Sequence, residues 1–375
     1  MKIGIDARIL TLPEIRGMAD YLISVLKNWP VTTDTFCLYT EEEPRPDRVY
    51  CPSTVCWKKV AGPPGNRIHI WDWFALPHAL RSEEPDLFWS PANLVFPVRT
   101  PQIITVHDTL LQEKVRFSRW FDSFYYRSLI PYIAQRYARH VITVSRFSAG
   151  RIHRIFGMPE NKIEVIYNGT SFFNKDQAVE SKHSDICSDI CLDAIQRYKR
   201  FIYTLGAESP WKNTRGIIDG FKLLRHTFPD LGLIVSGLQG RAREETAQYC
   251  KKENIGNIEL LGYVTENDRN TFYRQAEIFV YPSLFEGFGL PVLEAMAFGT
   301  PVVASRAASI PEVAGNAAIL VDAASPHEIA DGITRLLSDK ALRDTCKHAA
   351  YDNLKRFDWA VSAGRHRDLF LKFLH

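Results

Sequence analysis

Y-P-S-L-F-E-G-F-G-L-P-V-L-E-A-M-A-F-G-T-P-V-V-A-S, from Tyr281 to Ser305, decides how the rest of the chain is read. It predicts a loop rich in Gly and Pro, a short helix starting near Leu290, and a buried strand from Pro301 to Ala304. Pro291 suits the first turn of that helix, where a missing N–H costs nothing, and Gly299 is placed to end it. The free N–H groups of Phe288, Gly289 and Leu290 should point outward beside Gly287 and Gly289, which are too small to shield them. That arrangement binds a phosphate. Glu286 and Glu294 flank the expected anion, eight residues apart. Like charge keeps both off the phosphate, but each can accept hydrogen bonds from neutral hydroxyls on either side of it. Hydroxyls, then phosphates, then hydroxyls again describe a sugar nucleotide. The competing reading makes both carboxylates mere companions of the helix dipole, which would need no G-F-G beside them.

The 375 residues exceed one ordinary core and suit two domains of roughly 170 to 200 residues each. With 24% charged and 46% hydrophobic residues, the composition is that of a globular protein in water. A net charge of +3 is too small to argue for nucleic acid. The seven cysteines include Cys51 with Cys56 and Cys187 with Cys191, spacings that make no zinc motif, so they read as reduced thiols of a cytoplasmic protein, with a disulfide or a zinc site as the alternative. Met1 to Asp6 lacks the apolar core of a signal peptide, and no apolar run reaches the roughly 18 residues of a membrane span.

The first half opens with a strand at Lys2 to Ala7, a loop, and a helix from Ala19 to Trp29, the start of a Rossmann-like layer. Further strands are expected at Thr35 to Thr40, Asp86 to Ser90, Gln102 to Val106, Val141 to Val144 and Val165 to Gly169. Glu41 to Gly65 holds too many prolines and charges to be regular. Ser90-Pro91-Ala92-Asn93 and His107-Asp108-Thr109 end two of these strands, where ligands of such sheets gather. Ser145 reads as a helix cap. Between Arg116 and Arg154 basic residues interleave with Phe117, Trp120, Phe121, Phe124, Tyr125, Tyr126 and Tyr132. This mixture suits an anionic lipid surface or a lipid diphosphate; a solvated helix face over an aromatic core is the alternative.

Residues 171–199 have poor periodicity and read as a linker. Alternation of strands and helices resumes at Arg200 to Leu205, followed by the loop Gly206 to Asn213 and a helix to about His226. Leu231 to Ser236, Ile258 to Leu261 and Ile278 to Tyr281 are the next strands, with Gly237 and Gly262 at the ends of the first two. From Phe357 an amphipathic helix runs to the C-terminus.

The opening stretch resembles the E-x7-E motif of the family-4 glycosyltransferases, retaining enzymes of the GT-B fold, and G-A-E-S-P-W-K-N at Gly206 to Asn213 is similar to that family's G-x-x-x-P-R-K-N. The resemblance implies an α/β protein of two Rossmann-like domains facing a central cleft. Residues 1–170 would form the acceptor domain, residues 200–357 the nucleotide-sugar domain, and a C-terminal helix, 358–375, would pack back on the first. By resemblance Glu286 faces the transferred sugar, Glu294 holds the ribose hydroxyls, and His107 lies beside sugar and acceptor. Lys212 would then stabilise the leaving diphosphate together with the amides of Phe288, Gly289 and Leu290. Gly17, where the family has paired glycines, Gly237 and Gly287 join the donor-binding set, and the base is expected against the backbone of Tyr263 and Val264. An arginine common in the family after the first glycine is Ala207 here, so Lys212 acts alone or Arg241 or Arg243 completes the clamp.

No D-x-D stands where it could hold a divalent ion, so the implied hexosyltransferase needs no metal or cofactor, and protein groups neutralise the diphosphate. The resemblance implies a UDP- or GDP-sugar as donor, and as acceptor a glycan or lipid-linked saccharide met in the cytoplasm or at a membrane face. Rival readings are a sugar-nucleotide epimerase, a binding protein without turnover, and a phosphorylase.

Overall fold

Short runs of β-branched and aromatic residues, apolar at almost every position, are what a parallel strand buried on both faces requires. Thirteen strands form in the computed structural model, which describes residues 1–12, 17–43, 45–62, 71–92, 94–115, 120–170, 187–206 and 209–374. They fall in two compact units, Met1–Gly169 with Phe357–His375, and Thr170–Arg356.

In the first unit β1 (Lys2–Asp6), β2 (Thr35–Thr40), β3 (Thr54–Lys59), β4 (Leu87–Ser90), β5 (Gln102–Thr105), β6 (His140–Thr143) and β7 (Ile163–Val165) pair in parallel, in the order β3-β2-β1-β4-β5-β6-β7. In the second, β8 (Phe201–Leu205), β9 (Gly232–Ser236), β10 (Ile258–Leu260), β11 (Ile278–Tyr281), β12 (Val302–Ser305) and β13 (Ala318–Val321) follow the order β10-β9-β8-β11-β12-β13, again all parallel. Both orders step outward from the first strand in one direction and then in the other. Ligands of such sheets bind beyond the carboxyl ends of the two strands where that reversal occurs. These are β1 and β4 in the first unit, β8 and β11 in the second.

Strand β3 lies inside the segment expected to be irregular. It is an edge strand of T-V-C-W-K-K, buried on neither side, so it carries no apolar run to betray it. The strand expected at Val165 to Gly169 instead ends at Val165, where its ladder with β6 stops. Gly169 is needed for another reason: a Cβ there would come within 2.2 Å of the Trp359 backbone nitrogen, at the start of the helix Trp359–Leu371.

That helix belongs to the first unit and packs on the helix Met18–Lys27. Its inner face is tied to the sheet by a buried chain of hydrogen bonds. Trp89 Nε1 donates to Thr105 Oγ1 at 3.0 Å, Thr105 and Tyr21 hydroxyls lie 3.2 Å apart, and Tyr21 donates to His366 Nε2 at 2.6 Å. His366 Nδ1 donates to the Ser362 carbonyl, which fixes the tautomer. Within residues 171–199, 171–186 lie outside the described residues, and the helix Asp189–Arg197 joins the second unit. The core of that unit gathers Ile217, Ile218 and Phe221 of the helix Thr214–Leu224 against Val280 and Val303, with Ile329 and Ile333 of the helix Pro326–Ser338. Burying each such side chain contributes about 1.5–3 kcal/mol.

Candidate active site

The loops after β8 and β11 leave neighbouring strands at the reversal point of the second sheet, and they are stitched together. Leu284 N donates to the Trp211 carbonyl at 2.7 Å and Ser283 Oγ to the same oxygen at 2.8 Å. Asn213, in the left-handed region at φ 57°, caps the helix Thr214–Leu224, and its side-chain amide donates to the carbonyls of Pro282 and Ala323. Asn tolerates that backbone better than most residues, which is the reason for its place after Lys212.

This stitching brings Lys212 to Glu286. Lys212 Nζ donates to Glu286 Oε1 at 2.8 Å, and the same oxygen accepts from Tyr281 Oη at 2.8 Å and Ser283 Oγ at 2.6 Å. Lys212 also donates to the Tyr281 hydroxyl. Three donors thus converge on one oxygen of Glu286, and no hydrogen bond among the described residues is made to Oε2. Burial, and then the Glu286 charge, push the Tyr281 phenol well above its ordinary pKa, so it stays a donor.

The helix Leu290–Ala297 starts after Gly289, whose φ of 108° lies outside what L side chains adopt. A Cβ on Gly289 would also come within 2.6 Å of Ile310 Cδ1. Ser309 Oγ donates to the carbonyls of Phe288 and Glu286, holding the loop from behind. The G-F-G loop is more covered than its glycines led one to expect: Gly287, Phe288 and Gly289 are buried, and Leu290 is half-buried. The loop is therefore not the open surface expected, because Ile310 and Ser309 close in around the small residues.

Glu294, one turn into this helix, receives Tyr273 Oη at 2.9 Å and lies 3.7 Å from Arg269 Nε, both on Oε2. Tyr273 and Arg269 come from one face of the helix Glu266–Gln275. Gly237, at φ 94°, donates its N–H to the Gly262 carbonyl at 2.8 Å, and a Cβ would collide with the Gly206 carbonyl. The two residues after Gly262 are accessible, Tyr263 exposed and Val264 half-buried. Of the arginines considered as a clamp, Arg241 is paired with Glu245 and Arg243 is exposed. Ala207 lies outside the described residues.

In the first unit His107 follows β5. Its Nε2 donates to the Pro91 carbonyl at 3.0 Å, so Nδ1 is the ring's acceptor. Its ring meets Tyr21 edge-on, and burial lowers its pKa to about 4, so it is neutral near pH 7. Gly17 caps the helix Met18–Lys27 at φ 47°, exposed and with open space around its α-carbon. Arg16 and Asn93 are outside the described residues. Ser145 is the cap of the helix Arg146–Phe156, its Oγ accepting from Ser148 N.

The basic and aromatic region is divided: Tyr125 is buried in ring contact with Phe121 and Tyr126, whereas several of its neighbours face water. Trp120 is 79% exposed and Tyr132 62%, with Phe121, Phe124, Arg127, Arg136 and Arg139 also exposed. Arg116, Phe117 and Arg119 lie outside the described residues.

Sequence reading found Lys212, Glu286 and Glu294 but not the residues that hold them. Tyr281 and Ser283 stood inside the quoted stretch, where a hydroxyl before and after Pro282 was the available signal. Arg269 and Tyr273 are spaced four apart on a polar helix, which pointed to one face but not to what it faces.

Residues 17–171 match the family model described as glycosyltransferase family 4, and residues 194–353 the model described as glycosyl transferases group 1. The O-antigen chain mannosyltransferase B of Escherichia coli is 33% identical over 231 residues, 59% of this chain and 58% of that protein. The O-antigen chain mannosyltransferase RfbU of Salmonella typhimurium is 29% identical over 229 residues, 60% of this chain and 57% of that protein. The chain therefore matches less than two thirds of the length of either relative. Among solved structures, HepE of Anabaena in complex with UDP and glucose superposes with a TM-score of 0.72 at 19% identity, over 98% of both chains. WaaG, a glycosyltransferase involved in lipopolysaccharide biosynthesis, gives 0.70 at 13% identity over 99% of both.

Proposed function

Because the chain belongs to the group 1 glycosyltransferases and has their GT-B fold, we propose that it transfers a hexose, with retention of configuration and without a metal, from a UDP- or GDP-sugar to a growing glycan or lipid-linked saccharide. The observation that carries this reading is the joining of Lys212 and Glu286 at the reversal point of the second sheet, with Glu286 four residues before the helix that starts at Leu290. A cation held by a residue four positions before a helix N-terminus suits the charge that builds on a leaving diphosphate. The names of the curated relatives favour mannose as the sugar, and HepE, solved with UDP and glucose, shares the fold.

In this account the diphosphate competes with Glu286 for Lys212, and Glu286 Oε2 turns to a sugar hydroxyl. Glu294 meets the ribose hydroxyls, and the backbone at Tyr263 and Val264 meets the base. Three hydrogen bonds on Glu286 Oε1 make it a weak nucleophile, which favours front-face attack over a covalent intermediate. The acceptor proton then passes to a donor phosphate oxygen. His107, neutral and with Nδ1 as acceptor, is assigned to hydrogen-bond the sugar or acceptor.

No helix among the described residues is long and apolar enough to cross a membrane. Trp120, Phe121, Phe124 and Tyr132 with Arg127, Arg136 and Arg139 suit peripheral contact with anionic lipid, where aromatic rings sit at the headgroups and arginines meet phosphate. Vesicles containing phosphatidylglycerol should retain the protein, and Trp120→Ser with Arg127→Glu should release it.

Radiolabelled UDP- and GDP-sugars, incubated with the protein and a bacterial lipid-linked glycan fraction, test the activity. Label moving from one donor to the lipid fraction supports transfer. A donor epimerised with no acceptor present, or bound and returned unchanged, replaces it by an isomerase or a binding protein.

A further inference from the structure

Two thiols and a carboxylate to which the donor account gives no role converge in the second unit. Cys187, Cys191 and Asp268 place one ligand atom each within 4.8 Å of one another, and the two sulfurs lie 2.8 Å apart. They come from two helix starts that face each other. Cys187 and Cys191 bracket the cap Ser188 of the helix Asp189–Arg197, and Asp268 lies in the first turn of the helix Glu266–Gln275.

Packing and capping account for part of this. Asp268 closes a capping box with Thr265, and its carboxylate accepts from Ser188 N at 2.8 Å and Ser188 Oγ at 3.0 Å. Those bonds need no sulfur nearby. They place one donor on Oδ1 and two on Oδ2, so Oδ1 retains a lone pair. Cys191 is only 1% exposed, and its other polar contact is the Asp268 carbonyl at 4.0 Å, a weak one. Apolar residues would fill that space without placing two polarisable sulfurs beside a carboxylate.

We propose that Cys187 Sγ, Cys191 Sγ and Asp268 Oδ1 bind one thiophilic divalent cation of the zinc type, with a fourth position open to water. Tetrahedral zinc holds sulfur at about 2.3 Å and carboxylate oxygen at about 2.0–2.2 Å, which sets the two sulfurs roughly 3.8 Å apart. The pair must open by about 1 Å, within reach of side-chain rotation. The cation replaces the two thiol protons, which leave to solvent, and the product carries two thiolates, one carboxylate and the ion. Bound there, the ion clamps the helix Asp189–Arg197 to the helix Glu266–Gln275. The latter carries Arg269 and Tyr273 to Glu294, a consequence that rests on the proposed function whereas the binding itself does not.

The test is spectroscopic and needs no donor. The full chain, reduced and freed of metal, is titrated with Co²⁺ and then Zn²⁺, following thiolate-to-cobalt charge transfer and the thermal unfolding midpoint. The expected result is one equivalent bound in the wild type and displaced by Zn²⁺, with Zn²⁺ raising the midpoint. Cys187→Ser and Cys191→Ser should each weaken binding roughly 10–100-fold or more and abolish the zinc-dependent rise. Cys37→Ser is the control, because Cys37 and Cys56 lie 3.2 Å apart across β2 and β3 and have no third ligand among the described residues. It should bind as the wild type does. The proposal is overturned if no sulfur-to-cobalt band forms, if Cys191→Ser, still unfolding cooperatively, binds as the wild type does, or if a Cys187–Cys191 disulfide persists in glutathione buffer.

Discussion

Lys212 Nζ lies 2.8 Å from Glu286 Oε1, with the Tyr281 hydroxyl bonded to both groups. The cation meant for the diphosphate and the carboxylate meant for the sugar thus neutralise each other before any ligand arrives. Both are partly buried, so removing either leaves the other without its partner in a medium less polar than water. Lys212→Ala and Glu286→Ala should each lower kcat by about 10²–10³. A double-mutant cycle should show strong non-additivity, because each residue holds the other. Steady-state transfer rates of the two single variants and the double variant check this; rates near that of the wild type would remove both residues from the chemistry.

Gly289→Ala tests the helix mouth. The positive φ and the 2.6 Å approach to Ile310 Cδ1 both oppose a methyl group. The substitution should cost about 1–3 kcal/mol of stability and weaken nucleotide binding. Ile310→Ala in the same chain should relieve the collision but not the backbone strain, so denaturant melts of the pair separate the two effects.

Tyr273→Phe removes one hydrogen bond from Glu294 and leaves the carboxylate to Arg269. A net loss of about 1 kcal/mol in positioning predicts roughly fivefold weaker nucleotide binding with the fold intact. Calorimetry with a nucleoside diphosphate reads this directly, and a ribose-free diphosphate should bind both proteins equally.

Acid should loosen the first unit through His366. Burial lowers its pKa from 6.5 to about 4, with smaller effects from Ser362, Arg365 and His107. Between those values the unfolded chain takes up a proton that the folded chain refuses. The stability is therefore present above pH 6.5 and lost as the pH falls toward 4, by about 3 kcal/mol in all. His366→Gln keeps an acceptor for Tyr21 and should remove about half of the pH dependence of unfolding in that window, the rest belonging to His107, whose pKa is lowered as far; urea melts at stepped pH would show this.

Much of this molecule was legible because local chemistry and tertiary role coincide. Pro291 and Gly289 mark the helix start at Leu290, and the apolar I-F-V-Y of β11 could be little but a buried strand. Strand β3 was missed because an edge strand needs only one neighbour and no apolar run. Lys212 and Glu286 were each readable, but their contact was not, since it depends on Asn213 and Ser283 stitching two loops 70 residues apart in the chain. Cys187 and Asp268 gave still less sign of their meeting, for one stands just before a helix cap and the other is taken up in a capping box.

The central claim is that the helix mouth at Leu290 and Lys212 together receive the diphosphate. A crystal structure of the protein soaked with a nucleoside diphosphate tests it most directly. The account predicts Lys212 Nζ moved from Glu286 onto a phosphate oxygen, with the Gly289 and Leu290 amides on the same group. Diphosphate density elsewhere, with Lys212 still bonded to Glu286, would contradict it.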